Sequence, residues 1–206
     1  MWLITTFPSC NYDIENYPAI KNHLLSYNIH RLEQSGNKYV IDGKEIKSRK
    51  RTNNKWFETQ DSINYWDDFN KQKIIYPCIM SKESSFALDS NAEFYTIAPG
   101  NIISGKNLKY LLAFLNSKTY YFALRKFYMG GGIEGELKTN RLLLVPIPIP
   151  KEKFRLLIES KVDLLLDKYK EINILDKTIL DEIEEIIQNY LKLSEEEINI
   201  INNTEY

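Results

Sequence analysis

Apolar residues change their spacing several times along the chain, and each change predicts an element. Tyr17-Pro18-Ala19-Ile20-Lys21-Asn22-His23-Leu24-Leu25 reads as a helix ending by Asn28, with Pro18 in the first turn, where its missing N–H is tolerated. Two short strands, Tyr39-Val40-Ile41 and Lys44-Glu45-Ile46, flank Asp42-Gly43, a pair suited to the positive φ angles of a type I′ hairpin turn. Further strands are expected at Lys73-Ile74-Ile75-Tyr76, at Ser85-Phe86-Ala87-Leu88 and at Glu93-Phe94-Tyr95-Thr96-Ile97, the last two joined through Asp89-Ser90-Asn91. Helical spacing then takes over from Asn107 to Asn116 and from Tyr120 to Leu124, a pair expected to pack on the sheet, until Gly130-Gly131-Gly132 interrupts it. Leu142-Leu143-Leu144-Val145 reads as a buried strand, and Pro146, Pro148 and Pro150 form a stiff connector that can neither pair centrally nor continue a helix.

Beyond the prolines the period is helical again. Phe154, Leu157, Ile158, Val162, Leu165 and Leu166 form one apolar stripe, and Ile179, Ile183, Ile186, Ile187 and Leu191 form another. Ser194 with Glu197 is a capping box opening a last short helix. The pattern predicts an α+β fold: a small mixed or antiparallel sheet with packed helices over residues 1–150, followed by a C-terminal amphipathic helical segment over 151–206.

Composition leaves this picture in place and adds charge to it. The 206 residues are 43% hydrophobic and 27% charged, as expected of a globular chain. No apolar stretch reaches the roughly 18 residues that span a bilayer, and the N-terminus lacks a basic leader, so a cytoplasmic protein with no membrane partner is expected. Cys10 and Cys78 stand apart and are expected to be buried thiols. The net charge of −1 conceals an asymmetry, because residues 151–206 hold 8 Lys/Arg against 14 Asp/Glu and leave 19 against 14 in residues 1–150. A polyanion would meet the first part.

Three constellations bear on chemistry. Lys44, Lys47, Arg49, Lys50, Arg51 and Lys55 run out of the hairpin into a flexible Thr52-Asn53-Asn54 loop, with Glu45 the single acid among them. Such a run suits phosphates, and Asn53, Asn54 and the arginines are base-reading types; a merely solvated basic loop is the alternative. Gly130, Gly131 and Gly132 lead to Lys138, Thr139, Asn140 and Arg141, where glycines permit close backbone approach and the polar run offers donors to phosphates or bases. A structural glycine turn competes with that reading, whereas a nucleotide loop does not, for no Gly-Lys-Ser/Thr follows. Asp42, Glu45 and Lys47 superficially match a nuclease metal site, but the spacing is too tight and puts Asp42 in the turn itself. The aromatic residues Trp56, Phe57, Tyr65, Trp66 and Phe69 are expected mostly in the core, and His23 and His30 have no neighbours that would make them metal ligands. Asp181, Glu182, Glu184, Glu185 and Glu195-Glu196-Glu197 are expected to be solvated helical faces that would repel phosphates.

Several segments in order resemble the TaqI-like C-terminal specificity domain of type IIG restriction-modification enzymes and related adenine-specific DNA methyltransferases. They are Thr6-Phe7-Pro8-Ser9 with Asp13–Ile20, Arg31–Gly36, Trp56–Asp61, Lys73–Pro77, Asn107–Lys118, the Pro146–Pro150 exit, and Glu182–Ile187 with Leu191–Ile198. The resemblance implies sequence-specific reading of double-stranded DNA; readout is expected through the major groove, with Arg49, Arg51, Asn53, Asn54, Asn140 and Arg141 distinguishing bases and phosphate contacts setting register. It also implies an upstream methyltransferase domain, or a methyltransferase or nuclease subunit, which residues 151–206 would dock against. That partner would use S-adenosylmethionine to methylate adenine N6 after base flipping, and magnesium if it also cuts. The catalytic Asn-Pro-Pro-Tyr or Asn-Pro-Pro-Phe motif of such enzymes does not occur here, nor does a Gly-x-Gly cofactor loop after a strand, so catalysis and cofactor are expected outside this chain. The resemblance starts at residue 1 as though in mid-protein, which suits either an excised C-terminal region or a separately encoded subunit. From another class, a protein-interaction or dimerisation module using the amphipathic tail is the alternative, and an autonomous nuclease or methyltransferase is the third possibility.

Overall fold

Asp42 and Gly43, with φ of 46° and 74°, close a hairpin between β1 (Lys38–Ile41) and β2 (Lys44–Lys47). This is the expected Asp-Gly turn, one residue longer on each outer side than its apolar core suggested. The computed structural model describes residues 3–61, 63–80, 82–130 and 134–205. It divides the chain into two compact units, Met1–Trp66 and Asp67–Tyr206.

In the first unit, α1 (Pro18–Leu25) begins at Pro18 as expected, and α2 (Ile29–Leu32) starts where the Asn28 side chain accepts from the N–H of His30. Among the described residues of this unit the buried apolar side chains are only Ile14 and Phe57, while Thr6, Gln34, Ser48 and Glu58 are buried polar ones. A unit this small buries little apolar surface, so the hydrogen bonds of its polar interior carry much of its order. Thr6 shows the pattern: its hydroxyl donates to the Phe57 carbonyl (2.6 Å) and its own carbonyl accepts from the N–H of Thr59 (2.9 Å).

The second unit is built on a three-stranded antiparallel sheet in which β3 (Lys73–Pro77) lies between β4 (Ala87–Asp89) and β5 (Gly100–Ser104). α3 (Leu108–Asn116) packs against β3 and β4 on one side and against α6 (Glu152–Ile172) on the other. α4 (Lys118–Ala123) contacts α7 (Lys177–Leu191) and α8 (Glu195–Asn203), and a wider helical turn, Leu124–Tyr128, continues it. One apolar core runs from Ile74 and Tyr76 through Leu112, Phe114 and Leu124 to Ile158, Val162, Ile183 and Ile187. The C-terminal helices share one apolar core with the sheet, and both lie in the second compact unit. The fold class is α+β, with the expected capping box at Ser194 formed from both sides.

Four local expectations change. Glu93–Ile97 is not a strand: the Asp89 carboxylate accepts from the N–H groups of Glu93 (3.1 Å) and Phe94 (3.0 Å), turning the chain away, and β5 takes the second edge of β3. Leu142–Val145 is not a buried strand either. The segment forms α5 (Thr139–Leu142) and a turn, leaving Leu143 79% and Leu144 64% exposed. Cys10 is exposed and Cys78 half-buried, so neither thiol is sealed in a core. Among the aromatics, Phe57 and Phe69 are buried but Tyr65 is exposed. No helix among the described residues is long and apolar enough to cross a membrane.

Candidate nucleic-acid interface

The hairpin of the first unit presents one half-buried and one bare face. Tyr39 pairs with Ile46 on the half-buried side, whereas Lys38 stands opposite Lys47, and Val40 opposite Glu45, on the bare one. Val40 is 77% exposed there. Like charges directly opposite on a ribbon repel. Glu45 answers only one of them, pairing with Lys38 at 2.9 Å. Lys44, Lys47, Lys50 and Arg51 are exposed and make no ion pair among the described residues, so this edge is a concentrated, uncompensated positive surface. Lys38, whose charge Glu45 answers, adjoins this surface although it precedes the cationic run in the sequence.

The segment after the hairpin is tethered, in contrast to the flexible loop expected. Residues 49, 52 and 54 turn inward while 50, 51, 53 and 55 turn to solvent. Arg49 does not face outward as a base reader: Nε donates to the Leu32 carbonyl (2.8 Å), Nη1 to Glu58 (2.9 Å), and Nη2 to Leu32 and Trp56 (both 2.5 Å). Burial draws this guanidinium below the usual arginine value. Thr52 donates its hydroxyl to the side-chain oxygen of Gln34 (2.5 Å), whose amide nitrogen donates in turn to the carbonyls of Lys55 and Glu58. The side-chain amide of Asn54 donates to the carbonyls of Thr59 and Gln60, and the Glu58 carboxylate accepts from the N–H of Lys55 (2.7 Å). Asn53 is exposed with no side-chain hydrogen bond among the described residues, and Lys55 is exposed with its ammonium 3.3 Å from the Tyr12 carbonyl.

In the second unit Gly130 has φ of 107° and open space where a Cβ would stand, and its N–H donates to the Glu136 carbonyl (2.9 Å). Gly131 and Gly132 lie outside the described residues. The glycine that the geometry demands is Gly135, whose φ is 73° and whose Cβ would fall 2.3 Å from the Met80 carbonyl oxygen. That close approach lets the Gly135 carbonyl accept from the Met80 N–H (2.9 Å) and the Leu137 N–H donate to the Cys78 carbonyl (2.7 Å), which fixes the start of the 138–141 turn. Gly135→Ala is accordingly expected to lower the stability of this unit by about 1–3 kcal/mol, read as a shift in thermal midpoint. In the turn, Lys138 pairs with Glu136 at 3.5 Å, and Thr139, Asn140 and Arg141 are exposed, the last two without side-chain partners among the described residues.

The sequence of the TaqI-like C-terminal specificity domain matches residues 21–149. The chain belongs to that family. Every candidate contact residue of both units falls inside the matched region. Membership makes this a specificity domain, with the target-recognition role such domains have in restriction-modification enzymes. No curated protein matches the chain, and no solved structure does.

Within the specificity domain the nuclease-like triplet comes apart. Asp42 sits in the hairpin turn at positive φ and Glu45 is paired with Lys38, so the carboxylates do not converge on one point of a strand. Among the described residues no group of three His, Cys, Asp or Glu side chains could hold a metal ion.

Proposed function

We propose that this chain reads a specific sequence in double-stranded DNA for a type IIG restriction-modification enzyme that methylates adenine N6, and that it has no catalytic centre of its own. The observation that carries the proposal is the coincidence of the family match with the unpaired cationic edge at Lys44, Lys47, Lys50 and Arg51. In this reading the β1–β2 ribbon, with Lys38, Lys44 and Lys47, lies against phosphates at the major groove, whose width admits a two-stranded ribbon. Lys50, Arg51, Asn53 and Lys55 project from the tethered segment, where Arg51 and Asn53 have the donors for guanine and adenine edges. Lys138, Asn140 and Arg141 of the second unit supply further contacts, with backbone approach at Gly130. Arg49 and Asn54 support the first unit's residues from inside, and Thr139 is exposed beside Asn140.

S-adenosylmethionine, and magnesium if the parent enzyme also cuts, are assigned to its methyltransferase or nuclease part, since this chain offers neither an Asn-Pro-Pro motif nor a metal-holding cluster among its described residues. The docking surface for that part is α6, where Leu157, Leu164, Tyr169 and Ile172 are exposed although apolar or aromatic.

Binding of the whole chain to duplex DNA over a range of salt concentrations tests the assignment. Lys47→Ala is expected to weaken all sequences alike and reduce the salt slope by about 1, whereas Arg51→Ala relaxes one base position at a cost of about 1–3 kcal/mol. If both variants bind with unchanged affinity and slope, the ribbon is not the interface. Salt-independent association with protein alone would favour the interaction-module reading instead.

A further inference from the structure

Arg49 is charged, yet its surroundings are those of a structural hub. Its four hydrogen bonds end on three carbonyls from two separate stretches: Leu32 at the end of α2, and Trp56 and Glu58 beyond the cationic segment. Backbone bonds continue the seam, with the Arg49 N–H donating to Glu33 (3.0 Å), Gly36 to Arg49 (2.9 Å) and Thr52 to Gln34 (3.0 Å). Gln34 closes it from below, bonded to Thr52 on one side and to Lys55 and Glu58 on the other. Both ends and the middle of residues 49–55 are therefore fixed to the same support, and the intervening side chains that point away are Lys50, Arg51 and Asn53.

A planar guanidinium with donors on three nitrogens can bridge several carbonyls at once; the single ammonium of lysine cannot reproduce that geometry. Phosphate contacts tolerate displacement, because a point charge acts over several ångströms, whereas bidentate base contacts need their donors held in place. A support of this kind thus affects discrimination between sequences more than overall affinity.

We propose that Arg49, acting with Gln34 and Thr52, is a positioning residue that holds Arg51 and Asn53 in register for base reading and so sets sequence specificity without touching DNA. The inference rests on the DNA-reading assignment above. The test begins with selection of bound duplexes from a randomised pool by the whole chain. Affinity for the selected duplex is then compared with that for a scrambled duplex of the same composition, across salt concentrations, for the unaltered chain, Thr52→Val and Arg49→Lys, with thermal unfolding of each. Thr52→Val removes one hydroxyl at constant shape. It is expected to keep its affinity for scrambled DNA and its salt slope while the ratio between the two duplexes falls about tenfold; Arg49→Lys lowers the ratio further. A purely structural role predicts a lower melting temperature with the ratio unchanged, and that result in Thr52→Val overturns the proposal even if Arg49→Lys fails to fold. If the unaltered chain selects no sequence at all, the DNA-reading assignment itself falls and takes this inference with it.

Discussion

Asp89→Asn is expected to cost the second unit about 3–5 kcal/mol, measured as a fall in the urea midpoint at constant slope, because it strands a buried cation. Lys73 has 0% of its side chain exposed, and its ammonium donates to the Asp89 carboxylate (2.5 Å) and to the Phe69 carbonyl (2.9 Å). In the variant the ammonium stays buried at the start of β3 with no counter-charge. Replacing the pair together, as Lys73→Met with Asp89→Leu, is expected to recover part of the loss, since apolar replacements of a buried pair are often tolerated. Recovery stays incomplete because the same carboxylate turns the chain at Glu93 and Phe94. A pH dependence accompanies the pair. Burial pushes the Asp89 carboxyl up, but the Lys73 bond and the two backbone N–H groups outweigh it and hold it below the ordinary carboxylate range. A carboxylate depressed in the folded state stabilises above its unfolded value of about 4 and loses that contribution as pH falls through the folded value. The unaltered chain should therefore lose stability below pH ~4 more steeply than Asp89→Asn; parallel acid curves would show that the ion pair does not stabilise the fold.

Elements with local causes were legible in the sequence. Asp42-Gly43 dictates the hairpin through backbone conformation alone, Ser194 with Glu197 dictates a helix start, and the stripes around Ile158 and Ile183 need only a helical period. Features decided by distant partners were not. Gly100–Ser104 has no alternation to mark it and is a strand because β3 needs an edge partner there. Leu142–Val145 looks like a buried strand by composition, but it ends α5 and turns, with Leu143 and Leu144 exposed. Within the candidate interface the cationic run was readable as a polyanion surface, whereas the direction of each side chain was not. A sequence gives Arg49 and Arg51 the same charge; only the carbonyls of Leu32, Trp56 and Glu58 separate the support from the exposed side chain. Lys38 entered the surface through strand pairing with Lys47, a relation fixed by hairpin register.

Glu184 shows the same effect with the opposite charge, and its replacement has the second large expected consequence. By composition it belongs to an acidic, solvated helix face, yet it is 8% exposed while Glu185 beside it is open to solvent. Its carboxylate accepts from the N–H of Lys118 (2.6 Å), from the N–H and hydroxyl of Thr119 (3.0 and 2.5 Å), and from the Gln188 side chain (2.9 Å). The first two N–H groups belong to the opening turn of α4, which has no intrahelical acceptors for them, so α7 caps α4 through this residue. Glu184→Ala leaves several buried donors unanswered at once and is expected to destabilise the second unit by about 3 kcal/mol, a fall of roughly 10 °C in thermal midpoint. Glu184→Gln should fall between, because its amide keeps one acceptor oxygen but turns an NH2 group toward donors. Glu185→Ala changes the net charge equally and should stay within about 0.5 kcal/mol of the unaltered chain. Equal melting of the Glu184→Ala and Glu185→Ala variants would mean that the acidic face acts through its charge alone and that the bridge from α7 to α4 does not hold the helices together.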